Sequence, residues 1–176
     1  MLNSPRSPRK QQGFTLIELM VTIVILAVLA TIAVPSFIPL MERWRVRGAA
    51  EELQSTLYYA RSEAIKRGGG VTISVIDDDW ANGWEVNGID ADGDDELLQT
   101  TSASTSLAIN EESDATELAL DRWGVITPAA DFLLTPTGKD KNDASAVRVC
   151  INSSGHVRHL PGNGSCTPPP APDPTP

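Results

Sequence analysis

The stretch Gly13-Phe14-Thr15-Leu16-Ile17-Glu18 leads directly into Leu19–Met41, 23 residues without a charge. A helix of that length runs roughly 35 Å at about 1.5 Å per residue, enough to cross the apolar core of a bilayer. Ahead of it the first thirteen residues carry Arg6, Arg9 and Lys10 and no acid, a net +3. An ordinary secretory signal also starts basic, but its apolar stretch is shorter and a small-residue cleavage site follows it. Here the run is too long and no A-x-A site follows. Cleavage is therefore expected before the run, between Gly13 and Phe14, which removes the leader and keeps the helix. Arg6, Arg9 and Lys10 hold their end in the cytoplasm by the positive-inside rule, so the rest of the chain lies on the far side.

Glu18 is out of place by composition. A carboxylate at the edge of a membrane helix is costly unless it is paired. One reading is a capping box, Thr15-x-x-Glu18, at a helix start. The other follows from the cut: cleavage after Gly13 creates an amine on Phe14, a cation that pairs with Glu18 of a neighbouring subunit.

Gly13-Phe14-Thr15-Leu16-Ile17-Glu18-Leu19-Met20-Val21 resembles the class III signal of type IV pilins and type II secretion pseudopilins. The resemblance implies that a prepilin peptidase cuts after Gly13, that Phe14 is then N-methylated, and that Glu18 aids assembly by pairing with that terminus. Pro35 matches a common proline of the pilin helix. Physically, a mid-helix proline removes one backbone hydrogen bond and kinks or loosens the helix, and Pro39 is expected to add a second break.

From Phe37 to Arg67 the pattern turns amphipathic. Val46, Ala50, Leu53, Leu57, Ala60, Ala64 and Ile65 recur at three-to-four spacing, which predicts the second half of one long helix with an apolar stripe facing a sheet. Gly68-Gly69-Gly70 ends it. Arg43, Arg45 and Arg47 read as a solvated or headgroup-facing cluster rather than a ligand site. Short strands separated by turn residues are expected at 71–76, 83–86, 97–100, 106–109, 117–120, 124–126, 131–134, 147–151 and 156–160. Residues 167–176 include six prolines. Such a tail cannot pair into a sheet and is expected to be extended and mobile.

Leu57–Arg67 resembles the helix end of the GspH/FimT group of minor pilins. Trp80-Ala81-Asn82-Gly83-Trp84 resembles that group's hairpin motif, and Asp90–Glu96 its acidic turn. Phe132, Pro136-x-Gly138, and Cys150 ahead of Ser154-Gly155-His156-Val157-Arg158 also fit, in the same order. The resemblance implies an α+β, type IV pilin-like fold: a long N-terminal helix packed on an antiparallel β-sheet domain. The chain then divides into a cleaved leader (1–13), a long helix whose first half is transmembrane (14–68), a β-rich globular domain (69–166) and the proline-rich tail (167–176).

Charge and cysteines narrow the chemistry. From Gly69 onward five basic residues face eighteen acids, within a chain of net charge −9. An acidic domain repels polyanions at long range, which argues against general nucleic-acid binding. Cys150 and Cys166 are the two cysteines. In an exported chain such a pair is expected to close as a disulfide, worth about 3 kcal/mol on the chain-entropy model. The rival reading joins Cys150, His156, His159 and Cys166 around zinc, although the spacing is not a familiar one.

Two further motifs have a bland and a sharp reading. In Asp90–Glu96 the residues Asp90, Asp92 and Asp94 match a calcium loop, but Asp95 stands where glycine should be and Thr101 where the distant glutamate should be. An acidic hairpin turn is the favoured reading. Gly155-His156-Val157-Arg158 resembles the G-R-x-R motif through which some FimT proteins bind DNA during natural transformation. His156 replaces the first arginine and is mostly neutral near pH 7, which weakens one phosphate contact. Arg158, His156 and Arg148 are the candidate DNA contacts, with Lys139 and Lys141 adding charge. The bland reading gives Arg158 a role in fold or filament contacts.

No nucleophile motif surrounds the two histidines, so neither an enzyme nor a cofactor or metal site is expected. The expected role is structural: a minor pilin or pseudopilin of a type IV pilus or type II secretion filament, single-pass in the bacterial inner membrane with its C-terminal domain in the periplasm. Expected partners are other pilins or pseudopilins, the prepilin peptidase, the inner-membrane assembly platform and the lipid bilayer. DNA is the partner under the alternative reading, uptake in transformation.

Overall fold

Leu16–Arg67 forms a single 52-residue helix, α1. In this computed structural model residues 13–90, 92–102 and 105–167 are described. The leader and the proline-rich tail lie outside them, apart from Gly13 and Thr167. Thr15 begins α1 as its N-cap: its hydroxyl accepts from the Glu18 amide at 3.3 Å, the N-cap half of the capping box. Pro35 and Pro39 lie within α1, and the expected break at Pro39 does not occur. A proline removes one backbone bond of the ladder, and the bonds on either side carry the helix past it. The helix ends where Gly69 donates its amide to the Ala64 carbonyl at 2.8 Å, a Schellman-type closure.

The chain divides into two units, one ending at Ile38 and the other beginning at Pro39. The described part of the first is residues 13–15 and the front of α1, a helical stretch whose apolar side chains are exposed along its whole length. The two threonines within this stretch of helix turn their hydroxyls back on it, Thr22 to the Glu18 carbonyl and Thr31 to the Val28 carbonyl. That pairing removes the need for water at those hydroxyls.

The second unit holds the rest of α1 and nine strands among the described residues: β1 (Val71–Val75), β2 (Gly83–Ile89), β3 (Asp95–Ser102), β4 (Leu107–Glu111), β5 (Glu117–Leu120), β6 (Ile126–Thr127), β7 (Ala130–Pro136), β8 (Val147–Ile151) and β9 (Val157–Pro161). They form two antiparallel sheets, ordered β3-β2-β1-β5-β6 and β4-β7-β8-β9. The sheets are joined where the Ile126 amide donates to the Ser153 carbonyl at 2.9 Å.

Val46, Ala50, Leu53, Leu57, Ala60 and Ala64 of α1 are buried. They meet Val71, Ile73, Val86, Leu118 and Ile126 of the first sheet and Phe132, Leu134 and Val149 of the second in one core. Ile65, expected on the same stripe, is 54% exposed. It follows Ala64 by one residue and so points about 100° away from it. Thr56 takes a core position instead: its hydroxyl accepts from the Trp84 indole N–H at 3.1 Å and from the Gln99 amide at 3.4 Å.

Trp80-Ala81-Asn82 is a 3₁₀ turn rather than part of a strand, capped by the Asp79 carboxylate, which accepts from the Ala81 amide. The turn carries Trp80 into the core, edge-on to Phe132 at 4.8 Å and with its indole N–H on the Ala115 carbonyl at 2.9 Å. Gly83 follows at φ 111°, and a Cβ there would lie 2.2 Å from the Thr101 carbonyl oxygen. Only glycine fits that approach of β2 to β3.

Candidate assembly and surface sites

Gly13 and Phe14 precede the helix, and Phe14 is 85% exposed. A Cβ on Gly13 would meet no atom within 4 Å. Nothing in the described fold therefore requires glycine at that position. Glu18 lies in the first turn of α1, where the positive end of the helix dipole favours a carboxylate. Among the described residues its carboxylate makes no ion pair, while its amide is held by Thr15. Pro35 is exposed on the same helix.

Cys150 on β8 and Cys166 beyond β9 are joined as a disulfide, with their Cα atoms 5.3 Å apart. Both thiols are consumed, which overturns the zinc reading with His156 and His159. The bridge fastens the segment after β9 back onto β8, so the edge hairpin is closed by a covalent link.

The three candidate DNA contacts fare differently. Arg148 is 7% exposed, covered by the segment that follows β9. Its Nη1 lies 2.8 Å from both carboxylate oxygens of Asp131, and its Nε donates to the Gly162 carbonyl at 3.2 Å. A guanidinium held in that way is unavailable to a phosphate, so Arg148 leaves the candidate surface. Arg158 is exposed on β9, the edge strand of its sheet, and donates from Nη2 to the Cys166 carbonyl at 3.0 Å. His156 is exposed just before β9, after the turn at Gly155.

Asp90 and Asp92–Asp94 lie in the hairpin turn between β2 and β3, and Asp95 and Glu96 open β3 opposite Ile89 and Gly88. Asp90 Oδ1 accepts from the amides of Asp92 and Asp94, both at 2.9 Å. These backbone bonds, that from Asp94 foremost, hold the Asp90 carboxyl below its ordinary range. Arg67, at the end of α1, donates to the Ile89 carbonyl at 3.2 Å and to Glu96 at 2.7 Å. Asp90 thus closes the turn, and Glu96 ties the hairpin to the helix.

A second ionic joint ties the loop between β7 and β8 to α1. Lys139 lies 2.7 Å from Glu42 and 3.2 Å from Asp143. Both partners, Glu42 first, raise the lysine above its ordinary value. Spacing in the sequence offers no sign of this contact, since the partners are 97 residues apart. Glu111 is likewise a buried carboxylate that sequence reasoning misses; it accepts from the amides of Ser113, Ala115 and Asp131 and so shapes the loop after β4.

Comparison with known proteins agrees with this architecture. The family model of the type II transport protein GspH matches residues 49–155, and that of the prokaryotic N-terminal methylation motif matches residues 8–34. The type IV minor pilin FimU of Pseudomonas aeruginosa has a similar structure, with a TM-score of 0.58 and 27% identity over 73% of this chain and 99% of that one. The minor pseudopilin EpsH of the type 2 secretion system of Vibrio cholerae shares the fold, with a TM-score of 0.54 and 19% identity over 68% of this chain and 98% of that one. No curated protein sequence gives a significant match.

Proposed function

The chain belongs to the family of the type II transport protein GspH, and we propose that it is a structural minor pilin or pseudopilin that is held in the inner membrane by Leu19–Met41 and then taken into a type IV pilus or type II secretion filament, which it can prime. In this reading the prepilin peptidase removes residues 1–13 and Phe14 is N-methylated. Residues 14–68 act as anchor and spine, 69–166 as the periplasmic domain and 167–176 as a tail. The partners are neighbouring pilins or pseudopilins, the inner-membrane assembly platform and the bilayer. The role is one of packing and carries no catalytic step.

The observation that carries the proposal is the front of α1. Leu26 and Leu29 are 61% and 56% exposed there, as are the apolar residues on either side. An apolar surface of that extent needs lipid or other helices around it. Gly13 supports the cleavage step, because the fold gives no reason of its own for glycine there.

Gly13→Ala tests it in the producing cell. The expected result is a precursor that stays full-length, remains in the membrane on alkaline extraction and is absent from sheared filaments. Normal shortening and incorporation of that variant would reject the cleavage reading. The DNA-uptake alternative rests on Arg158 and His156, with Arg148 withdrawn into its pair with Asp131, and it takes second place for that reason.

A further inference from the structure

Just beyond the apolar run the sequence turns basic and aromatic, Arg43-Trp44-Arg45 with Arg47, and Glu42 is the only acid between Leu19 and Ala50. Glu42 is held by Lys139. Arg43, Arg45 and Arg47 are exposed, and Trp44 is 67% exposed. On the side facing the β7–β8 loop lies a groove of about 650 Å³. Its charged or titratable lining residues are Arg43, Arg47, Glu51, Lys141, Asp143 and His159. Asp143 is already engaged by Lys139 and by the Ser145 amide.

Height along the helix sorts these groups. Arg43, Arg47 and Glu51 follow Met41 by two, six and ten residues, which puts them about 3, 9 and 15 Å beyond the end of the apolar run. The headgroup layer of one leaflet is about 5–8 Å deep. Arg43, Trp44 and Arg45 thus fall within it and Arg47 at its rim, while Glu51 stands clear. Arginine forks match phosphate oxygens, and exposed tryptophan favours the membrane interface. The excess of acids from Gly69 onward is repelled by an anionic surface, so the basic end is the face that approaches it.

We propose that the groove at Arg43, Arg47 and Lys141 binds the phosphate headgroup of an anionic phospholipid, with Trp44 seated in the interface beside it. The site rests on the membrane-anchored reading above. It seats the globular unit on the bilayer before assembly, and its contacts must break when the subunit is drawn into a filament.

The test uses the full chain in detergent, titrated with phosphatidylglycerol or phosphatidylcholine and read by native mass spectrometry. Phosphatidylglycerol should be retained preferentially. R43Q, R47Q and K141Q should each lower that retention about fivefold, and their combination by well over tenfold. K66Q removes a cation at the far end of α1 and should leave it unchanged. Equal retention of the two lipids, an unchanged triple variant, displacement by millimolar inorganic phosphate, or capture of duplex DNA by the same residues without lipid preference would each overturn the site. Alkaline extraction of membranes separates the two readings. A chain released into the supernatant defeats the anchor itself, whereas a chain that stays in the membrane without lipid preference defeats the headgroup site alone.

Discussion

Nη1 of Arg148 lies 2.8 Å from both carboxylate oxygens of Asp131, on adjacent strands of the second sheet. The pair sits beneath the segment that the disulfide fastens, because Arg148 also donates to the Gly162 carbonyl. It therefore fixes the outer face of β7–β8 to the loop after β9. Asp131→Asn removes the close counter-charge of a nearly buried guanidinium and leaves only Glu112, 3.9 Å from Nη2. The expected cost is about 2–3 kcal/mol, below the figure for a fully buried pair because Asp131 keeps some exposure. Chemical denaturation of the full chain in detergent measures it. A second change, Arg148→Met, should restore part of the loss, and no recovery would show that the pair is not the source.

The disulfide makes a separate contribution. Cys150 and Cys166 are 16 residues apart, a loop whose closure is worth about 3 kcal/mol. Cys166→Ser should lower stability by roughly that amount and lower protection from hydrogen exchange first in β9. Equal protection across β8 and β9 in the two forms would mean that the bridge does not hold the edge.

Glu63 sets an acid limit on the end of α1. Arg67 lies 3.0 Å from its carboxylate and Lys66 3.1 Å, and these bonds, Arg67 first, hold its pKa below the ordinary 4.5. A depressed carboxylate stabilises the fold fully above its unfolded value. That contribution fades as the pH falls below 4.5 and is gone once the folded value is passed. Glu63→Gln should accordingly melt earlier than the parent at pH 7, and the difference should shrink as the pH falls below 4.5. A difference independent of pH would assign the effect to packing.

The nine strands are legible because turn residues bracket them: 117–120 and 147–151 coincide with β5 and β8. Boundaries slip where pairing rather than hydrophobicity extends a strand. The β2–β3 hairpin recruits Asn87, Gly88, Ile89, Asp95 and Glu96, a run of polar residues, a glycine and one exposed isoleucine that no apolar pattern marks. The stripe on α1 is read correctly at its alanines and leucines but fails at Ile65, where hydrophobicity alone misleads, and at Thr56, whose burial depends on the Trp84 indole. The methylation motif is local, so the sequence alone reveals it. The partners of Arg148 and Lys139 are set by strand register and loop return, which no spacing in the sequence encodes.

Exposure separates the arginines of the alternative, DNA-binding reading. Arg158 is accessible at a sheet edge and Arg148 is not. If the protein captures DNA, Arg158→Ala should weaken retardation of duplex DNA by the full chain in detergent and reduce its salt dependence by about one phosphate contact. His156→Arg should strengthen binding at pH 7, by adding a permanent charge where a histidine is mostly neutral. No salt-sensitive retardation in the parent or in the His156→Arg variant would dismiss DNA as a partner.

Glu18 has two possible reasons to be where it is, and one substitution distinguishes them. Its amide is bound by Thr15, a capping role that depends on the backbone and survives a change of side chain. Its carboxylate, in the first turn and without an ion-pair partner among the described residues, is free to meet the amine that cleavage would create on a neighbouring Phe14. Glu18→Gln keeps shape and capping capacity but loses the charge. If helix capping is the whole role, the variant should assemble normally. If the charge pairs between subunits, the variant should be shortened and stay in the membrane like the parent, yet be depleted at least several-fold from sheared filaments. The desolvated amine would then lack its counter-ion, a loss of 3–5 kcal/mol for a buried pair. Parental filament content with Glu18→Gln would assign the residue to the cap alone.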